Sequence, residues 1–494
     1  MKRASLPGVT LARGPADWQI LQRRLDGRCD IPLAGTWRLP EGDARTARVE
    51  VRVADPRTQR AVSGALDWHE ADASPVHTWT HVLKNVPAGG PYRIETRLRA
   101  AGDDWRLAGD KIHWVGVGDL WAIAGQSNAV GYGHGPVEDP PEDGVHLFRP
   151  SHVWTRADHP IFDSTGTRHP AHFDTGWVDH SPWLAFARRL RGELGIPIGL
   201  IPAALGGSPL SAWDPGAASP FLYRNLLALI RAASSYRNFA AFDMADGGPV
   251  LLPPPGVDYG VLAGMVWHQG CFDTGAEELA RSYGARFARF VEGLRRDLAS
   301  PELPVVTCQL NRVIGVADPR QSAWWGVVRE AQRAASHDMP RVAVVPTLDC
   351  DLSDGIHLGP SGNLRVGDRC AQAALGMAYG LDVAWQSPDL ASAAFEPGQR
   401  DRIRLEFSGV SGWLWSCAGE IGQFAAGDAA GRAAVRKAEL IGPAAARLTL
   451  VRELGDAPKV WNCATHDPKV CLLDRDQRPI LAFAEAAVSD ARPE

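Results

Sequence analysis

The sequence predicts an α/β chain with a β-rich region on either side, and three changes of texture lead to that reading. Residues 1–115 alternate polar and apolar positions, residues 116–384 interleave short apolar runs with amphipathic segments, and residues 385–494 return to alternation. Alternation with period two puts one face of a strand in a core and the other in water, as in antiparallel sheet. Short apolar runs between amphipathic helices call instead for a parallel sheet covered on both faces. The length of 494 residues suits two or three domains of about 150 residues each.

In the first region, Arg48-Val49-Glu50-Val51-Arg52-Val53 and Tyr92-Arg93-Ile94-Glu95-Thr96-Arg97-Leu98 read as strands. The second is entered through the turn Pro87-Ala88-Gly89-Gly90-Pro91, and the region is expected to be a β-sandwich. In the central region, Leu120-Trp121-Ala122-Ile123-Ala124, Ile198-Gly199-Leu200-Ile201 and Met265-Val266-Trp267 read as buried strands. Helices are expected over 183–194 and 279–298, the latter because Tyr283, Phe287, Phe290 and Leu294 recur at steps of three or four. In the last region, 402–407 and 446–451 read as strands, and the Gly/Ala-rich stretch 419–434 as a loop-rich interruption. No internal repeat relates the two β regions.

Composition narrows the function. Hydrophobic residues at 45% and charged residues at 22% describe a globular chain rather than a disordered one. The charges sum to 52 − 57 = −5, so no basic field invites nucleic acid. No run approaches the roughly 20 apolar residues needed to span a bilayer. Lys2 and Arg3 have no apolar stretch behind them, and Arg13, Asp17, Arg23 and Arg24 arrive too early for a signal peptide. A cytoplasmic location is expected, or a secreted or periplasmic one if a signal has been removed. The eight cysteines are dilute and contain no Cys-x-x-Cys, which argues against structural zinc. Buried free thiols are the default, with a Cys463–Cys471 bridge the alternative in an oxidising compartment. The 18 Trp against 7 Tyr and 14 Phe fit either core packing or flat surfaces for sugar rings.

Four short blocks in the central region carry chemistry. Gly125-Gln126-Ser127-Asn128 follows a strand, where small neighbours let the chain bend and expose a nucleophilic hydroxyl; taken alone, Ser127 also fits a helix N-cap. Gly206-Gly207-Ser208-Pro209 brings a backbone N–H within reach of a reacting carbonyl, or is a plain turn. Trp267-His268-Gln269-Gly270-Cys271-Phe272-Asp273 ends a strand with an amide that needs a partner if buried; Asp273 fits a cap for the next helix, and His268 reads as packed or substrate-lining. Asp354-Gly355-Ile356-His357 places a carboxylate three residues before an imidazole, close enough to fix its tautomer.

Together these blocks supply a nucleophile, oxyanion donors and a carboxylate-paired base, and here the chain resembles the SGNH (GDSL-type) hydrolases, in the carbohydrate-esterase branch that includes sialate O-acetylesterases. The run from Val115 to Asn128 is similar to the nucleophile block, Gly206-Gly207-Ser208-Pro209 ahead of Ala212-Trp213 to the glycine block, Trp267-His268-Gln269-Gly270 to the Trp-Tyr-Gln-Gly block, and Ile356-His357-Leu358 to the terminal histidine block. Gly367-Asp368-Arg369-Cys370-Ala371 and Arg329-Glu330-Ala331-Gln332 resemble further family segments. Val86 to Tyr92 and Arg478 to Phe483 resemble its flanking β regions more faintly. Two departures stand out, Cys271 where the branch carries glutamate and Ala129 where it carries methionine.

The resemblance implies a three-layer, flavodoxin-like α/β/α domain over 116–384 between β domains at 1–115 and 385–494. It implies a serine esterase that removes O-acetyl groups from sugars, with Ser127 as nucleophile, His357 as base and Asp354 as its orienting acid. The oxyanion is expected on Ser127, Gly207 (rather than Gly206) and Gln269, with Gln126, Asn128, Trp213 and His268 binding substrate. The loops 132–134 and 158–177 are expected to wall the pocket. No metal or organic cofactor is required. Acetyl esters of xylan or pectin fragments are the alternative substrates, and a non-catalytic saccharide-binding protein is the alternative from another class.

Overall fold

The computed structural model describes residues 7–40, 46–74, 77–100, 106–167, 171, 173–174, 176–238 and 262–490, so the first six residues of the leader reading lie outside it. The central sheet is built on six strands: β1 (Arg106–Gly125), β2 (Val145–Phe148), β3 (Ile198–Pro202), β4 (Gly264–His268), β5 (Val305–Cys308) and β6 (Val342–Val345). They pair in parallel in the order β2-β3-β1-β4-β5-β6, with Trp154–Arg156 antiparallel at the β2 edge. Setting β2 aside as an added edge, the remaining five run 2-1-3-4-5, the flavodoxin-like order, whose switch point beside β1 is where ligands bind.

Side chains of β1 show why the sheet is covered twice. Leu120, Ala122 and Ala124 pack into one core and Trp121 and Ile123 into another. The first core is closed by α2 (Phe221–Ser234), α3 (Glu277–Asp297) and α4 (Pro319–Asp338), following α1 (Trp183–Leu194) in sequence. The second is closed by α1 and α5 (Pro360–Met377). The expected helices are thus present, one starting at residue 277 rather than 279. No described helix is long and apolar enough to cross a membrane.

The first region is a sandwich. Gly8–Gly14, Arg28–Arg38 and Thr78–Pro87 form one antiparallel sheet, Ala47–Ala54 and Gly89–Ala100 the other, and Val9, Ile31 and Trp79 meet Val51, Ile94 and Leu98 between them. Its seam with the centre is not a linker. The single strand β1 pairs with Gly89–Ala100 in its first half and with β3 and β4 in its second, and Ile20–Gln22 ladders onto Gly116–Gly118.

The last region packs two four-stranded antiparallel sheets, with a two-stranded ribbon of Leu414–Ser416 and Leu472–Asp474, over Ile403, Leu405, Phe424, Ala426, Leu448 and Val460. The stretch 419–434, expected as a loop, contains the strands Phe424–Asp428 and Gly431–Ala433. Alanine and glycine on both faces erase the contrast on which a period-two reading depends. This region is joined to the centre by side chains. Buried Arg329 of α4 donates to the carbonyls of Leu310, Asn311, Cys463 and Thr465, and Gln309 exchanges bonds with Ala482. All eight cysteines are free, including Cys463 and Cys471.

Candidate active site

The loops that leave the carboxyl ends of β1, β3, β4 and β6 converge. β1 ends at Gly125, whose φ of +140° and 2.2 Å clearance between a built Cβ and the His268 carbonyl oxygen admit only glycine. The chain then turns into the short helix Ser127–Val130. Ser127 Oγ lies 2.8 Å from His357 Nε2, and His357 Nδ1 lies 2.7 Å from Asp354 Oδ2. The other carboxylate oxygen of Asp354 accepts the N–H groups of Ile356 and His357, both at 2.7 Å. Burial would raise the Asp354 pKa, but these bonds and the imidazole outweigh it and hold the carboxyl below its ordinary value. The structure thus brings Ser127, His357 and Asp354 into one hydrogen-bonded chain.

The side chains flanking Ser127 are braces. Gln126 Oε1 accepts the N–H groups of Gly270 (3.0 Å) and Phe272 (3.3 Å). Asn128 Oδ1 accepts Leu358 N–H at 2.9 Å, and its Nδ2 donates to Asn311 Oδ1 and the Ile356 carbonyl. Both residues, expected to bind substrate, are buried and spend these polar atoms tying the β4 and His357 loops to the nucleophile turn. Trp213 and His268 require the same correction. Trp213 is sealed between Trp267 and Phe290 with its indole N–H on Ser208 Oγ. His268 is 1% exposed, both ring nitrogens face no partner among the described residues, and burial pushes its pKa down to about 3. Neither presents surface to a substrate.

Gln269 is a further correction. Its amide nitrogen donates to the Ser208 carbonyl at 3.1 Å and to Asp273 Oδ2 at 2.6 Å, so both hydrogens are committed inside a fully buried pocket. An oxyanion would have to displace one of them. Asp273, read as a helix cap, instead accepts Gln269 and the Leu210 N–H; α3 begins later, with Ala276 at its N-cap. Of the two glycines, Gly206 has its N–H taken by Asp174 Oδ2 at 2.8 Å. Gly207, at φ +65°, donates its N–H to no described group. Cys271 is no rival nucleophile, because burial pushes its thiol up to about 12.

The wall of the site is completed by residues with no periodic signal in sequence. Tyr132 packs against the His357 ring at 62°, with ring centroids 4.8 Å apart, and donates its hydroxyl to Asp174 Oδ1 at 2.6 Å. Burial, reinforced by this bond, keeps that phenol protonated far above its usual range. Asn311 donates to the Ile356 carbonyl at 2.7 Å, holding the His357 loop from the β5 side. A cleft of about 1570 Å³, lined by Arg312, Trp461 and Asp467 among others, lies between the centre and the last β region, and neither Ser127 nor His357 lines it.

A second polar cluster has the residue types of a metal site: Asp139, His159 and His180. Asp139 Oδ2 is 2.9 Å from His159 Nε2 and 3.3 Å from His180 Nε2, while its other oxygen takes Arg188 at 2.8 Å. Asn363 Nδ2, anchored on the His180 carbonyl, points its amide at His180 Nδ1. Hydrogen bonds from His159 and Arg188 hold the Asp139 carboxylate, while His180 Nε2, buried 3.3 Å from the same carboxylate, makes no hydrogen bond among the described residues.

The chain is similar to several known proteins. A crystal structure of a carbohydrate acetylesterase from Xanthomonas citri superposes with a TM-score of 0.60 at 20% identity, covering 96% of this chain and 99% of that one. A probable carbohydrate esterase of Arabidopsis thaliana is 25% identical over 276 residues, 52% of this chain and 90% of its own length. The sialate O-acetylesterase of Rattus norvegicus is 26% identical over 156 residues, 28% of each chain. The profile of one family spans residues 117–376, from β1 to the end of α5 and across all four loops. The chain therefore belongs to the carbohydrate esterases of the sialic acid-specific acetylesterase family.

Proposed function

We propose that this carbohydrate acetylesterase works through an acetyl-enzyme on Ser127, with O-acetyl groups of sialic acids as its first substrates. The reading rests on one observation, the Ser127–His357–Asp354 chain with contacts of 2.8 and 2.7 Å. As Ser127 Oγ attacks the acetyl carbonyl, its proton passes to His357 Nε2, and Asp354 stabilises the imidazolium through Nδ1–H. The oxyanion is held by the N–H groups of Ser127 and Gly207. Collapse of the tetrahedral adduct breaks the bond to the sugar oxygen, which takes the proton from His357. Water, deprotonated by the same imidazole, then releases acetate and returns the proton to Ser127.

Acetate release from O-acetylated sialic acids, acetylated xylo-oligosaccharides and acetylated simple sugars tests the substrate class. A quenched reaction examined by mass spectrometry should carry an acetyl group on the peptide containing Ser127. Sugar binding with no acetate released from any of them would sink the esterase reading and leave a saccharide-binding protein.

A further inference from the structure

Phe173 and Trp177 are 60% and 77% exposed, and both sit on the short segment that supplies Asp174. That segment is not remote from the chemistry. Asp174 holds the Gly206 N–H with one oxygen and the Tyr132 hydroxyl with the other, and Tyr132 is the ring against His357. Gly176 closes onto the same carboxylate through its N–H at 2.8 Å, and a Cβ there would fall 2.0 Å from the Tyr132 hydroxyl. The Trp177 ring is backed by His134, with centroids 4.5 Å apart at 32°. His134 in turn donates its N–H to Ser353 Oγ at 2.8 Å, and Ser353 donates its own N–H to the His357 carbonyl at 2.8 Å. The carboxylate between the two rings is therefore fixed to the oxyanion side of the site, and the Trp177 ring to the base side.

Two aromatic rings left in water on either side of the anchored Asp174 carboxylate mark a surface kept for a partner. A pyranose ring has a flat C–H face and an equatorial fringe of hydroxyls. Stacking it on an indole removes two apolar faces from water while the hydroxyls stay solvated, and Asp179, half exposed beside His134, offers them an acceptor. We infer that Trp177, with Phe173, forms a stacking subsite for the sugar whose O-acetyl group enters the Ser127 site. The inference rests on the esterase reading above and adds the residues that choose a sugar ester over a simple one.

The test compares 4-nitrophenyl acetate with O-acetylated N-acetylneuraminic acid and acetylated xylobiose on the full chain. In Trp177→Ala, KM for the faster of the two sugar esters should rise roughly three- to tenfold. Its kcat and all constants for 4-nitrophenyl acetate should stay within about twofold of the parent. Trp177→Phe should recover most of the lost affinity, and Phe173→Ala should show the same split more weakly. Parallel losses on both kinds of ester would reassign Trp177 to loop integrity, and no change on either would remove it; both outcomes overturn the inference. Titrating N-acetylneuraminic acid or xylobiose into Ser127→Ala, followed by tryptophan fluorescence, separates the two readings. Binding that disappears in Ser127→Ala/Trp177→Ala, with no ester turned over by the parent chain, would remove the esterase and keep the subsite. Turnover of sugar esters indifferent to residue 177 would do the reverse.

Discussion

Two groups of polar side chains meet around the nucleophile turn, and they differ in their relation to water. Along Ser127, His357 and Asp354, access to solvent increases step by step, until the Asp354 carboxylate is 48% exposed. Along Ser208, Gln269 and Asp273 all three are buried, and burial lifts Asp273 above the usual carboxylate range. In the proposed mechanism the first group passes a proton and then exchanges it. The second is arranged to hold the loops after β3 and β4 in one shape, because a buried amide with both hydrogens used has nothing left to give. On that reading, chemical and structural roles are divided between neighbouring loops of one sheet end.

Substitutions can sharpen or break that division. Ser127→Ala should lower kcat by about 10⁴-fold or more while leaving the unfolding free energy within about 1 kcal/mol of the parent, as read by turnover and urea denaturation. Gln269→Ala should show the opposite balance. Removing the donor leaves Asp273 and the Ser208 carbonyl stranded, which costs about 2–4 kcal/mol of stability, with turnover per folded molecule reduced less than about tenfold. A loss of 10²-fold or more in kcat at unchanged stability would return Gln269 to the oxyanion and erase the contrast.

His268 extends the sealed side to pH. Its imidazole is held neutral down to about 3, whereas in the unfolded chain it charges below its ordinary 6.5. Between those values the unfolded state binds the extra proton, so stability falls as pH falls. Comparing the parent with His268→Leu by thermal unfolding should show about 1.4 kcal/mol less loss per pH unit in the variant across that window. The smallest effect is expected at Gly207. Its φ of +65° strains any other residue, but a Cβ there meets nothing within 4 Å, so Gly207→Ala should cost only about 1 kcal/mol.

The division also explains what sequence reading reached. The blocks at Ser127 and His357 are legible because each role sits within a few residues: a glycine turn before a serine, a carboxylate three positions before an imidazole. The sealed side is not legible, because the fate of Gln269 depends on a carbonyl from β3 and a carboxylate on a later turn. The same holds for Asp174, an isolated acid in a long loop, which nevertheless decides which glycine N–H stays free. The parallel sheet follows from its apolar runs, yet Ile112 to Val117 alternate in a way that suits either sheet. No composition change could therefore reveal that one strand serves both.

That shared strand has a practical consequence. A recombinant fragment beginning at residue 116 would start in the middle of β1, stripped of the ladders to Ile20–Gln22 and Gly89–Ala100. The bare N–H and C=O groups at the heart of the molecule would then be open to strands from other copies, a recipe for inclusion bodies rather than a minimal enzyme. Any trimmed version has to carry the whole amino-terminal sandwich with it.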